Sequence, residues 1–330
     1  MIYIDVPEKN RLTSFYLATE EYVARHIADN EDYFFIWQVP PTVMVGRNQL
    51  IDNEINFPYC REKGIHLLRR KSGGGCIYVD EGCLLFSYIT HNDQVNLVFT
   101  QYIDRIVQML RQLGINAEAG GRNDILIDEK KVSGNAFYHV PQWSIVHGTM
   151  LYDTNLQNMV ASITPSQQKL NSKGVQSVRQ HIALLKDYTT LSIEEVKRHT
   201  KEFLCTSSLT LTEKDIKGIE EIEQDYLSDE FTYGNNPRYT MTSKQRIENV
   251  GELEVLLELK NNVIKHVNIM GDYFLTGDLD NAILKPLQNI PYTKQAIEAA
   301  LPEQVNHIIR NLNKAQLVNL IVDPPKQQQQ

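Results

Sequence analysis

Between Tyr33 and Thr90 the chain carries five short runs rich in β-branched and aromatic residues, and two of the joints between them cannot be regular structure. The runs are Tyr33–Val39, Thr42–Val45, Ile65–Arg70, Cys76–Val79 and Leu84–Thr90. Runs of this length and composition read as strands. Pro40-Pro41 forces a bend after the first run, because proline fixes φ and removes a donor. Gly73-Gly74-Gly75 interrupts the stretch before Cys76 at a high cost in backbone entropy. Helical patterns flank these strands. Ser14–Ile27 places Phe15, Leu17, Ala18, Tyr22, Val23 and Ile27 largely on one face, with Ser14 as its expected N-cap. Leu97–Leu113 carries one apolar stripe, ended by Gly114. Asp124–Ile127 and Lys130–Ser133 read as two short strands around a tight turn, and Ile145–Tyr152 as another strand. The pattern predicts an α+β chain.

The later sequence changes character. Leu191–Ser228 is helical in pattern and highly charged, with a capping box at Ser192–Glu195 and the run Leu211–Ile216. After Tyr233-Gly-Asn-Asn-Pro237, strands are expected at Gly251–Leu259 and Val263–Ile269, turned by Asn261-Asn262. Short helices follow at Asp278–Gln288, Thr293–Leu301 and Gln304–Leu320. The expected division is a larger domain over 1–240, a smaller one over 241–323, and a disordered low-complexity tail at 324–330. A length of 330 residues suits two domains with real cores.

Charge and cysteine usage narrow the function classes. Lys and Arg total 33 against 41 Asp and Glu, a net charge of −8, so a whole-chain basic footprint for nucleic acid is missing. No apolar run reaches the roughly 18 residues of a membrane span. The N-terminus reads as no signal peptide. Cys60, Cys76, Cys83 and Cys205 form no metal-spaced set. A cytoplasmic protein with no nucleic-acid or membrane partner is expected.

Three segments have compositions that packing alone does not demand. In Arg69-Arg70-Lys71-Ser72-Gly73-Gly74-Gly75-Cys76, three cations precede a loop whose backbone can approach a ligand or form an amide nest for anionic oxygens. A flexible hairpin with exposed charges is the equal alternative. In Gly120-Gly121-Arg122-Asn123-Asp124 and Lys130-Lys131-Val132-Ser133-Gly134-Asn135-Ala136, the small residues Ser133, Gly134 and Ala136 leave room for a ligand. There Asp124 can hold magnesium, and Lys131 can set a point charge on a developing anion. A solvated surface hairpin is the competing reading. In His147-Gly148-Thr149, the histidine reads more simply as a satisfied structural residue. Cys76 abuts the glycine loop, and its basic neighbours are expected to lower its pKa if it is a nucleophile. Cys76 and Cys83 otherwise read as small buried hydrophobes.

In order along the chain, these pieces resemble the lipoate–protein ligase family. The match rests on Arg69-Arg70-x-Ser72-Gly73-Gly74-Gly75, Gly121–Asp124, Lys131–Ala136, His147-Gly148-Thr149 and Ser177-Val178-Arg179. Leu17-Ala18-x-Glu20-Glu21, Val43–Gln49, Tyr233–Pro237 and Gly271-Asp272-Tyr273-Phe274 extend it over nearly the whole chain. The resemblance implies a biotin/lipoate ligase-like catalytic domain, with mixed sheets flanked by helices, and a small α/β C-terminal accessory domain. It implies activation of lipoate with ATP and Mg2+ to lipoyl-AMP. Transfer would follow to a lysine of a lipoyl acceptor domain, from a glycine-cleavage H protein or a 2-oxoacid dehydrogenase E2 subunit. It gives Lys131 the catalytic role. It gives adenylate binding to Arg70, Ser72, Gly73, Gly74, Gly75, Cys76, Ile77, Tyr78, Asn123, Asp124, Lys131, Ser133, Gly134, Ala136, His147 and Gly148, with Asp124 as the magnesium contact. At 79 this chain has valine where the family commonly has histidine. The alternatives are an acyltransferase working through a cysteine thioester at Cys76 or Cys83, and a catalytically weak lipoate-binding paralogue.

Overall fold

The five apolar runs between Tyr33 and Thr90 enter two different sheets. A computed structural model describes residues 1–7, 10–29, 31–49, 51–91, 95–121, 123–163, 180–233, 241–260 and 262–322. The strands are β1 (Ile2–Asp5), β2 (Tyr33–Trp37), β3 (Thr42–Val45), β4 (His66–Arg69), β5 (Ile77–Val79), β6 (Cys83–Thr90), β7 (Ala117–Gly120), β8 (Asp124–Ile127), β9 (Lys130–Val140), β10 (Trp143–Leu151), β11 (Ser207–Thr210), β12 (Met241–Ile247), β13 (Gly251–Lys260) and β14 (Val263–Gly271). The larger sheet has eight strands in the order β11-β1-β2-β6-β10-β9-β8-β7. It is mixed: β1 lies parallel to β2 and β11, and the other pairs are antiparallel. A second, three-stranded sheet, β4-β3-β5, takes in the remaining runs.

Burial explains the layering. Strand β6 is buried along its whole length, as a central strand covered on both faces must be. On one face lies the helix Thr13–Tyr22, all ten of whose residues are buried. Its Phe15, Leu17 and Ala18 share a core with Trp37, Leu85 and Ile145, and with Ile216, Ile219 and Tyr226 of the helix Glu213–Leu227. The helix Val95–Gln112 buries the expected stripe of Phe99, Tyr102, Ile103, Ile106, Val107 and Leu110. Its Phe99 meets Phe137 of β9 edge-on at 5.5 Å.

Two compact units emerge. One comprises Met1–Val45, Ile51–Arg70 and Cys76–Tyr233; the other comprises Gly46–Leu50, Lys71–Gly75 and Gly234–Gln330. In the second unit, β12, β13 and β14 form an antiparallel sheet. Its core gathers Leu253, Val255, Leu257, Ile264 and Ile269 with Ile297, Leu301, Leu317, Val318 and Ile321.

Several local expectations need correction. Ser14 is not the N-cap: the helix starts at Thr13 after Leu12, and the Ser14 hydroxyl donates to buried Glu223 at 2.5 Å. From Val23 to Ile27 that helix widens into a π-turn. The strand expected at Lys130–Ser133 continues to Val140, with Asn135, Ala136, Phe137, Tyr138 and Val140 all buried. Gln304–Leu320 is not one helix. A short 3₁₀ turn at Val305–His307 ends, Asn311 adopts φ +64°, and Asn313 accepts the Gln316 N–H to start Lys314–Val322. The capping box at Ser192–Glu195 forms as expected. The helix Phe57–Lys63 was not anticipated, although Asn56 accepts the Tyr59 N–H and Gly64 closes it at φ +63°. The expected tail at 324–330 lies outside the described residues, as do Ser177-Val178-Arg179, Arg122 and residues 234–237.

Candidate active site

The hairpin of β8 and β9 supplies the densest part of the site. Asp128 and Glu129 both take positive φ, so the strands are joined by a two-residue turn whose twist suits a hairpin. The ladder pairs Asp124 with Gly134 and Ile125 with Ser133, then slips, so that Leu126 faces Lys131. This bulge puts one extra residue into β9 and re-aims Lys131. The Lys131 ammonium lies 2.8 Å from Asp124 Oδ1, in contact but not aligned as a hydrogen bond. The amine stem crosses Gly134: a Cβ there would stand 2.8 Å from Lys131 Cε and 2.9 Å from Nζ. Gly134 is therefore small because Lys131 occupies its face. The Lys131 carbonyl accepts the Ala183 N–H at 2.9 Å, which fixes the backbone beneath the amine.

Asn123 sits in the turn before β8. Its Nδ2 donates to the Asn135 carbonyl at 2.7 Å, and the Asn135 backbone N–H and Nδ2 each donate to the Asn123 carbonyl at 3.0 Å. Ser133 is buried and accepts from Asn135 Nδ2 at 3.2 Å. On β10, His147 faces Ala136 and Gly148 faces Asn135. The face of Gly148 is filled by protein: a Cβ there would stand 1.9 Å from Asn135 Oδ1 and 2.7 Å from the Tyr102 hydroxyl.

His147 belongs to a buried polar cluster. Its Nδ1 lies 3.1 Å from both carboxylate oxygens of Glu20, which is completely buried. A carboxylate can only accept, so Nδ1 carries the proton. The Ser87 hydroxyl donates to Glu20 at 2.6 Å and the Tyr138 hydroxyl at 3.2 Å, while Trp37 Nε1 donates to Ser87 at 2.9 Å. Sequence reasoning left Glu20 out of the site. Its signal is two adjacent acids, Glu20-Glu21, in a helix otherwise written for burial.

On the smaller sheet, Arg70 follows β4. Its N–H donates to the Val45 carbonyl at 3.0 Å, and its guanidinium donates to the Met44 carbonyl at 3.1 Å. Burial brings its pKa down to about 10, and nearby Arg69 adds to the fall. It is charged at neutral pH, a cation bonded to the Met44 carbonyl. Tyr78 is buried, its hydroxyl accepts from Asn158 Nδ2 at 3.3 Å, and burial pushes its pKa up. Ile77 is half-buried. Val79 is fully buried in the main core, so a histidine at 79 would need a place within that core.

Cys76 does not behave as its basic neighbours suggest. Burial pushes its thiol well up, and the opposing effect of Arg70 is smaller. Cys83 is fully buried and shifted the same way by burial. A nucleophilic cysteine needs a thiolate, and burial disfavours it at both positions.

The glycine loop Lys71–Gly75 clusters with the second unit. Within that unit the Gly74 N–H donates to the Tyr273 carbonyl at 3.0 Å, and Gly74 takes φ +88°. A Cβ on Gly73 would stand 2.5 Å from the same carbonyl oxygen. These glycines thus serve a close backbone approach, with one of their amides already engaged. Gly73→Ala is expected to lower stability by about 1–3 kcal/mol. A urea midpoint unchanged from the parent would contradict this account. Ser72 is fully buried, and its carbonyl accepts the Arg47 N–H at 2.9 Å.

The candidate residues therefore fall in three places: the β8–β9–β10 face, the end of the β4-β3-β5 sheet, and the loop in the second unit. Among the described residues, no three His, Cys, Asp or Glu gather to hold a metal, and no helix is long and apolar enough to cross a membrane.

The sequence and the fold have counterparts among known proteins. Residues 13–204 match the lipoyl protein ligase A/B catalytic domain, and residues 236–321 match the bacterial lipoate protein ligase C-terminus. Lipoate-protein ligase LplJ of Bacillus subtilis is 32% identical over 321 residues, spanning 92% of this chain and 95% of its own. Among solved structures, a bipartite archaeal lipoate protein ligase from Thermoplasma acidophilum, described with its E2 lipoyl domain, superposes with a TM-score of 0.64 at 26% identity. That match covers 73% of this chain and 98% of the other. A lipoate-protein ligase A bound with ATP superposes at 0.60 with 25% identity, over 71% and 97% of the two chains. With both units matched in order and nearly end to end, the chain belongs to the lipoate–protein ligase family.

Proposed function

We propose that this protein activates lipoate with ATP and transfers the lipoyl group to a lysine of an acceptor domain. In the first step a carboxylate oxygen of lipoate attacks the α-phosphorus of ATP. The bond from that phosphorus to the oxygen bridging the β-phosphate breaks, and pyrophosphate leaves. In the second step the neutral amine of the acceptor lysine attacks the acyl carbon. An amide forms, AMP leaves with the electron pair, and the amine loses a proton. Both steps bring anionic oxygens together, so both need fixed positive charge.

The single observation that carries this reading is Lys131. Its ammonium is held at a defined place by Asp124 and the open face of Gly134, on a backbone anchored at Ala183. There it can neutralise the lipoate carboxylate and the α-phosphate together. Arg70 supplies a second permanent cation. We assign the adenylate to Arg70, the loop Ser72–Gly75 with Cys76, Ile77 and Tyr78, and Asn123, Asp124, Ser133, Gly134, Ala136, His147 and Gly148. The observed packing gives Gly148 and His147 supporting places rather than open ones. We assign the catalytic domain to 1–240 and the accessory domain to 241–323.

Magnesium, when bound, would supply further charge neutralisation for the phosphates. We assign Asp124 as its protein ligand, since one carboxylate is the sparse protein share that magnesium with nucleotide takes. The acceptor is a lipoyl domain, of an E2 subunit or a glycine-cleavage H protein. The four cysteines are free thiols, which suits a cytoplasmic site of action.

Lipoate-dependent exchange of pyrophosphate into ATP tests the reading. Exchange is expected in the parent, and its absence from folded, magnesium-supplied protein overturns the assignment. Cys76→Ala keeps the backbone at 76 and is expected to hold exchange and transfer within about threefold of the parent, since desolvation keeps this half-buried thiol protonated. Loss of transfer with exchange intact would favour a thioester route instead.

A further inference from the structure

We propose that Asn135 is a positioning residue for lipoate activation: it locks the turn before Asp124 and thereby holds the Asp124–Lys131 pair in place. The inference rests on the activation reading above. Three hydrogen bonds, 2.7–3.0 Å long, join the turn to β9; two use the Asn135 backbone, and the third, from Asn135 Nδ2 to the Asn123 carbonyl, is the one its side chain supplies. These bonds lie one residue from the register pair of Asp124 and Gly134. Those two residues define where the Lys131 ammonium rests.

Other contacts steady β9 itself: the Ala183 N–H holds the Lys131 carbonyl and the Thr149 hydroxyl bonds Gly134, but neither bond goes to the turn before Asp124. Between Ser133 and Lys131 the ladder slips, so regular strand pairing does not carry alignment from Gly134 to Lys131. The ion pair is itself partly solvated, with 40% of the lysine and 30% of the aspartate side chain exposed. A pair that exposed contributes little on its own, so its geometry depends on the backbone that presents it. The Asn135 side chain, by contrast, is almost fully buried at 3% exposure. Its Oδ1 fills the face of Gly148, and its Nδ2 also reaches the Ser133 hydroxyl. Gly148 is small so that this amide can enter, and the amide is rigid enough to set the turn.

Two measurements on Asn135→Ala test the role. In lipoate-dependent exchange, kcat is expected to fall about ten- to a hundredfold, as for a misplaced reacting group, with KM for lipoate and ATP within about twofold. In limited acylation by an N-hydroxysuccinimide ester, read by mass spectrometry, Lys131 labelling should rise about threefold relative to Lys186, as expected when an exposed ion pair loses its support. A purely structural role would lower the unfolding midpoint without this selective change at Lys131. Asn135→Asp keeps the volume but removes the Nδ2 donor; it should show the same two effects, and stands in where the alanine variant does not fold. Parental kcat, or unchanged Lys131 labelling, in the folded variant overturns the proposal. If the parent itself lacks exchange, the activation reading fails instead, and the labelling still decides whether Asn135 holds the pair.

Discussion

Lys131→Ala should lower lipoate-dependent ATP–pyrophosphate exchange by about 10²- to 10³-fold, the usual cost of removing one preorganised charge from a developing anion. The same change should leave the fold intact. The side chain is 40% exposed and its ion pair with Asp124 is partly solvated, so the stability at stake is about 1 kcal/mol or less. The hydrogen bond from the Ala183 N–H goes to the Lys131 carbonyl, which alanine retains. Lys131→Arg keeps the charge but not the geometry. The lysine stem already lies within 2.8 Å of where a Cβ on Gly134 would be, and a planar guanidinium needs more room than an ammonium. Arginine should therefore recover under about a tenth of the rate, since small misplacements of reacting groups are costly. Exchange within tenfold of the parent in Lys131→Ala would show that the charge is supplied elsewhere. A collapse of the urea midpoint would show that the lysine is structural.

The parts of this site that could be read from the sequence are those whose partners are near in sequence. Asp124, the Asp128-Glu129 turn, Lys131 and Gly134 lie within one hairpin, so residue type and turn chemistry already brought them together. Asn135 is not legible in the sequence because its importance lies in the bond from its Nδ2 to the Asn123 carbonyl, and in the face of Gly148, which only strand pairing creates. The glycine triplet was visible as a place where backbone comes close to something. That the something includes the Tyr273 carbonyl, some two hundred positions away, is a tertiary fact. Cys76 shows a different limit. Its basic neighbours in sequence argue for a lowered pKa, but burial outweighs them. Charge order along a chain says little about which charges a buried group feels. The break in the last helical segment is a similar case: Asn311 in a left-handed conformation and the cap at Asn313 override an apolar pattern that runs through both.

Glu20→Ala should be among the most destabilising single substitutions in the first unit, costing about 3–5 kcal/mol, the range for removing one partner of a buried charged group. The carboxylate is completely buried and accepts from Ser87, Tyr138 and His147. These donors come from β6, β9 and β10, so one side chain of the helix Thr13–Tyr22 ties three strands of the larger sheet. Alanine removes the acceptor these three donors share, and leaves Trp37 bonded to a hydroxyl that has lost its own partner. Glu20→Gln separates shape from chemistry. Either orientation of the amide turns an NH₂ toward two donors, because Ser87 and His147 meet one carboxylate oxygen, and Tyr138 and His147 the other. Glutamine should thus cost about 1–3 kcal/mol despite keeping the volume, the penalty for a buried donor facing donors. Urea unfolding of both variants distinguishes the accounts. A loss in Glu20→Ala below about 1 kcal/mol would mean that water reaches the cluster and satisfies the orphaned groups. A glutamine variant as unstable as the alanine variant would mean that charge, rather than hydrogen-bond count, holds the three strands to the helix.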